Sequence, residues 1–143
     1  MDRTIERFQP KGAIACWQFF PSNRNYPGWH LSMDQIGRDG LITLLKYMQA
    51  SQWPSWKRIG LTTPQDLQVL WLDRVGPVKS MQTLRLVDGS QSENYIGHVE
   101  SDQVDLQLGA HGLAELIGHL TMQSFDRAML MDANTPSQQL WFW

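Results

Sequence analysis

Few residues in this 143-residue chain are placed to do chemistry together. The most suggestive are His98 and Glu100, two residues apart, with Asp102 two further on. Residues two apart in a strand point the same way, so this run offers an imidazole and two carboxylates on one face. Such a donor set can hold a divalent metal. It equally describes a solvated strand running into a polar turn. His-x-Glu also occurs in zinc deaminases, but those need a later Pro-Cys-x-x-Cys. Here Cys16 is the only cysteine, so that pattern is excluded.

Gly109-Ala110-His111-Gly112 precedes an apolar helical pattern. Free N–H groups at a helix start can bind an anion. Neither a GxGxxG nor a GxxxxGK[ST] pattern is present, so a strand-to-helix turn that uses glycine for its dihedral angles is the simpler reading. His119 falls outside the apolar stripe of that helix and reads as a surface residue. No G-x-S-x-G elbow exists. Cys16 sits in an apolar run, where a thiol is usually inert packing. Asp73, Asp88, Asp126 and Asp132 fall at the ends of expected elements, and nothing in the sequence makes them converge.

The seven tryptophans carry the other functional signal. Trp joins a large apolar surface to one N–H donor and is enriched at the energetic centres of interfaces. Trp17 and Trp71 lie inside expected strands and read as core. Tyr26, Trp29 and His30 fall in a loop, and Trp53 and Trp56 at the far end of the first long helix. Trp143 closes the run Leu140-Trp141-Phe142-Trp143, whose alternation places Leu140 and Phe142 on one strand face and Trp141 and Trp143 on the other. Loops carry binding residues disproportionately. The competing reading is that these rings fold back over the core. If the terminal strand were an edge strand, its two tryptophans would invite another chain.

Positioning these residues falls to a short list of elements. Residues 13–20 read as a central strand, because the run is apolar throughout and Pro21 ends it. Residues 21–31 read as a loop rich in turn formers. A helix is expected over Ser32–Ser51, capped by Ser32 with Gln35 three residues on. Gly37 and Gly40 lie on or near its apolar stripe, which suggests close approach to a sheet. Strands are expected at Arg58–Thr62, Leu67–Asp73 and Met81–Val87, then a hairpin of Tyr95–Glu100 and Gln103–Leu108 turning at Ser101-Asp102. A second helix spans Gly112–Gln123, with Leu113, Leu116, Ile117 and Leu120 at i, i+3, i+4 and i+7. Strands at Asp126–Met131 and 138–143 complete the set. The expected fold is α+β: one domain over residues 1–143, a mainly antiparallel sheet of six to eight strands, and two amphipathic helices in a single layer on it.

Composition narrows the function classes. Charged residues make up 18% of the chain, and the formal net charge is −2. That balance argues against nucleic-acid binding through bulk positive charge. The first residues lack a signal-peptide pattern, and no apolar run is long enough to cross a bilayer. A cytoplasmic protein without a membrane role is expected, and the sequence points to no cofactor. The leading reading is a non-enzymatic binding or interaction module using Tyr26, Trp29, His30, Trp53, Trp56 and Trp143. Its partner would be a protein or a small ligand, with self-association as a further option. The second reading is a small enzyme, metal-dependent in one version, with His98 and Glu100 in its site.

Overall fold

A computed structural model describes residues 3–21, 24–67, 77–88, 94–122, 128–130 and 135–143. In chain order the elements are α1 (Arg3–Arg7), β1 (Ile14–Phe19), β2 (Trp29–Met33), α2 (Gln35–Ala50), β3 (Ser55–Gly60), β4 (Val78–Ser80), β5 (Thr83–Asp88), β6 (Tyr95–Glu100), β7 (Gln103–Leu108), α3 (Ala110–Met122), β8 (Ala128–Leu130) and β9 (Gln139–Phe142). The α+β class holds. The single, mainly antiparallel sheet does not: the described strands form two mixed sheets, ordered β4-β1-β2-β9-β8 and β3-β5-β7-β6.

Each sheet contains one parallel pair. β9 runs parallel to β2, and β7 runs parallel to β5. The second pair arises because the β6–β7 hairpin lays β7, not β6, against β5. Period-two alternation tells which face a residue takes but not which strand lies beside it, so a mainly antiparallel order is what the short turns suggest. β9 is an internal strand, paired on one side with β2 and on the other with β8. It therefore offers no edge for joining two copies.

One hydrophobic core is shared by both sheets and both long helices. β1 and β2 supply Ile14, Cys16, Trp29 and Leu31; β9 supplies Leu140 and Phe142. The other sheet supplies Ile59, Leu84, Leu86, Ile96, Val104, Leu106 and Leu108. Leu41, Leu44, Leu45 and Met48 of α2 and Leu113, Leu116 and Leu120 of α3 enter the same core. Burying a side chain of this kind is worth roughly 1.5–3 kcal/mol, so this core is the main source of stability.

α2 starts later than expected. Its cap is Asp34, whose carboxylate accepts the N–H of Gly37 at 2.7 Å and that of Ala13 at 3.0 Å. Ser32 instead belongs to β2 and accepts the indole N–H of Trp17 at 3.1 Å. An ionised side chain that satisfies two backbone donors outcompetes a hydroxyl as a cap. The close approach expected at Gly37 is present: a Cβ there would run into the carbonyl of Ala13. Gly12, at φ +77°, faces the same junction, and a Cβ on it would collide with the backbone N of Gly37.

The hairpin Tyr95–Glu100/Gln103–Leu108 is as expected. α1, β2 and β4 were not anticipated. Of the expected strand Leu67–Asp73 only Leu67 is described, in a turn; Gln68 to Asp73, Trp71 among them, lie outside the described residues, as do Asp126 and Asp132. No helix among the described residues is long and apolar enough to cross a membrane.

Candidate functional site

The aromatic residues singled out in the sequence divide among three places. Trp29 points into the main core, where its ring meets that of His98 edge-on at 4.9 Å. His30, next along β2, points to the opposite face of the five-stranded sheet and is 0% exposed. On that face it stacks on Trp17 at 4.3 Å and meets Phe19 edge-on at 4.9 Å. Its Nδ1 accepts the indole N–H of Trp143 at 2.8 Å, so its own proton sits on Nε2, 3.1 Å from the carbonyl of Tyr26. Burial pushes its pKa down to about 4.

Tyr26 and Trp143 close over this cluster. Tyr26 meets Trp141 at 5.0 Å and Trp143 at 5.2 Å, both edge-on. Trp141 donates its indole N–H to the carbonyl of Pro27 at 2.9 Å. The loop aromatics on this face therefore pack inward against β9, as the competing reading of the sequence supposed.

Trp53 and Trp56 face water instead, with exposures of 68% and 44%. Trp53 follows α2, and Trp56 lies on β3, an edge strand of the four-stranded sheet. The inner face of that sheet holds Ile59, Leu84, Leu86, Val104 and Leu106. Alternation sends their neighbours outward, and the pairing register orders those neighbours into rows. The first row is Trp56, Val87, Gln107 and Tyr95. The second is Arg58, Arg85, Asp105 and Gly97.

The second row carries the charges. Arg85 and Asp105 form a two-pronged ion pair, with Nη2 at 2.6 Å and Nε at 3.1 Å from Oδ2. Gln103 adds an N–H to the same carboxylate at 3.1 Å. The side chains are 34% and 12% exposed. Arg58 lies over the Trp56 ring, 5.1 Å from its centre. Tyr95 is 49% exposed and leans over Gly97, where a Cβ would meet its ring. Arg58 thus reaches back to the first row, and Tyr95 leans toward the second from the opposite edge. Strand spacings of 4.7–4.9 Å put Trp56 and Tyr95 about 14 Å apart.

The His98–Glu100 face is not a regular strand face. Pairing slips between these residues, so a bulge interrupts the alternation that would align their side chains. His98 is pressed against Trp29, and its pKa is lowered by desolvation and by the charge of Lys79. A cation beside it opposes a second one. Among the described residues no three His, Cys, Asp or Glu side chains group closely enough to hold a metal.

The other candidates have local explanations. The carboxamide oxygen of Asn94 accepts the N–H of Gly109 at 3.1 Å and lies where a Cβ on Gly112 would be, so a side chain of the protein fills the start of α3. His111 is exposed in the first turn of that helix. His119 differs from expectation: it is half-buried and stacks on Phe142 at 4.9 Å. Its ring covers core surface, which periodicity alone does not reveal. Cys16 is buried, and desolvation pushes its thiol up to about 12, which makes it inert.

Sequence reasoning did not single out Tyr95, Arg58, Arg85 or Asp105. The alternation of β5 and β7 placed Arg85 and Asp105 on outward faces. Only the parallel register of β5 with β7 brings them together. Protein-family models, curated proteins and solved structures yield no match to this chain.

Proposed function

We propose that this protein is a non-enzymatic binding module that makes its contacts through the outer face of the four-stranded sheet, with Trp53 beside it. One observation carries this reading. Trp56 and Tyr95 stand half-exposed at opposite ends of one row, with Val87 and Gln107 between them and the row of Arg58, Arg85 and Asp105 alongside. Leaving two large rings in water forgoes burial free energy. Trp and Tyr repay that cost in a complex, and Arg is the cation most often found with them at binding centres. Of the aromatics chosen from sequence, Trp53 and Trp56 fit this role; Tyr26, Trp29, His30 and Trp143 are occupied in packing.

The test compares the protein with a Trp56→Ala/Tyr95→Ala variant shown to be folded by circular dichroism. Each is immobilised and exposed to cell extract, and the retained proteins and small molecules are identified by mass spectrometry. A partner held by the protein and released by the variant supports the assignment. A partner held equally by both overturns it.

A further inference from the structure

The two faces of the five-stranded sheet are buried in different ways. The inner face joins the main core through residues such as Leu31, Leu140 and Phe142. On the outer face Ala15, Trp17 and Phe19 form a second cluster, with Tyr26, Leu67, Val78 and Trp143 packed partly buried against it. His30 stacks on that cluster. The sheet separates the two clusters, so the outer one can be uncovered without wetting the main core.

Both ring nitrogens of His30 are tied to its covers. Nδ1 accepts the indole N–H of Trp143, and Nε2 donates to the carbonyl of Tyr26. Trp143 follows β9, and its backbone N–H donates to the carbonyl of Leu31 at 3.0 Å. That bond leaves the side chain able to turn. Tyr26 lies between β1 and β2, and its ring meets that of Trp143 edge-on at 5.2 Å. A second proton on His30 turns Nδ1 into a donor aimed at another donor. The charged ring then needs water or an opposite charge.

The neighbouring elements supply no opposite charge among the described residues. β1 presents Trp17 and Phe19. β4 pairs Val78 with Phe19 and Ser80 with Trp17, and Lys79 with Gln18 on the inner face. Ser32 of β2 already accepts from the Trp17 indole. β9 presents Trp141 and Trp143, and β8 (Ala128–Leu130) contains no titratable residue. Tyr26 is the titratable group of the loop that touches the cluster; Arg24 of that loop is exposed. Beside Leu67, Asp66 is exposed and accepts from Thr62.

We propose that Trp143 and Tyr26 form an acid-opened lid: protonation of His30 turns both outward and admits water to the Trp17–His30 face, while both sheets stay paired and the main core stays closed. Closed, the ring has a pKa of about 4; opened to water it returns toward the ordinary 6.5. Between these values each pH unit of acidification raises the ratio of open to closed forms about tenfold. Two other groups must be separated from this effect. His98 is also shifted down, on the inner face against Trp29. Asp88 is shifted up by desolvation, which acts in the opposite direction.

The test is NMR of the full chain from about pH 7.5 to about 3.5, across the His30 window. It follows the His30 ring, the tryptophan indole N–H groups and backbone amide exchange. The His30 ring and the Trp143 indole should titrate together, with a midpoint at or above about 4. Measured against the exposed Trp53 indole, which reports the intrinsic effect of pH on exchange, Trp143 should lose at least about tenfold in protection. Amides of residues 83–88, 103–108 and 140–142 should keep theirs. His30→Gln, which keeps an acceptor and cannot take up a proton, should abolish the transition; His98→Gln should leave it in place. Trp143 losing protection together with the amides of 83–88 would be general unfolding and would overturn the lid. So would a His30 ring that titrates beneath a protected Trp143, a Trp143 signal unchanged to the acid end, a transition that survives in His30→Gln, or one lost in His98→Gln. Should His30→Gln not fold, coincidence of the His30 and Trp143 midpoints in the unaltered protein decides, and separate midpoints overturn the lid.

Discussion

The indole N–H of Trp143 donates to Nδ1 of His30 at 2.8 Å, across 113 residues of chain. An imidazolium has no free lone pair, so this bond exists only while His30 is neutral. The stacked Trp17 and edge-on Phe19 complete an enclosure that keeps water from the ring. Structure and protonation state are thereby tied together.

Stability should fall with acid in a defined window. His30 has a folded pKa of about 4 against an ordinary value of 6.5. Between these values the unfolded chain binds a proton that the folded chain excludes, so stability rises with pH. The contribution is complete above pH 6.5 and lost as pH falls toward 4. It is roughly 3 kcal/mol at 1.36 kcal/mol per unit. His98, also shifted down, acts in the same direction. Urea midpoints from pH 8 to about 4 should slope down in the protein and be markedly flatter in His30→Phe. An equal slope in both would refute the assignment.

The α2 cap should be costly to remove. Asp34→Ala leaves the N–H groups of Gly37 and Ala13 without their acceptor and should destabilise by about 1–2 kcal/mol. Asp34→Asn should recover much of that. Gly12→Ala should be worse than Asp34→Asn, because it combines positive φ with a collision against Gly37. Chemical denaturation of the three variants gives the order.

The ion pair should prove more specific than stabilising. Asp105→Ala leaves a guanidinium without its carboxylate and should cost roughly 2 kcal/mol, less than a fully buried pair because Arg85 is one-third exposed. The double replacement Arg85→Met/Asp105→Leu should regain most of the loss. A double-mutant cycle measures the coupling, and a double variant as unstable as Asp105→Ala would contradict this.

Tryptophans of similar size should behave in opposite ways. Trp53→Ser and Trp56→Ala remove exposed rings and should change stability by about 0.5 kcal/mol or less. Trp143→Ala removes the donor to His30 and three ring contacts and should cost roughly 2–3 kcal/mol. Thermal melts suffice to tell them apart.

The legible parts of the fold were those encoded locally. The stripe Leu113, Leu116, Leu120 located α3, and the alternation Val104, Asp105, Leu106 located β7. Leu140 and Phe142 do face the core while Trp141 and Trp143 face away. β2 was hidden because His30 and Ser32 look like loop residues. Only the partners Trp17, Tyr26 and Trp143 explain why polar atoms are buried there. α1 has five residues, too few for a periodic pattern. The candidate face was illegible for another reason. It draws on four strands, and two of them are neighbours only through the parallel register of β5 and β7.

The pairing of β2 with β9 sets the order in which the molecule can assemble. Trp29 lies beside Leu140, and His30 beside Trp141. The five-stranded sheet therefore cannot close until β9 has been made, although β1 can pair with β2 and β4 before then. Such distant partners raise contact order and slow folding. The sheet β3-β5-β7-β6 is drawn from residues 55–108, a stretch whose described residues give only β4 to the other sheet, and can form first. On a ribosome, the half that carries Trp56 and Tyr95 would be built before the half that carries His30 is sealed.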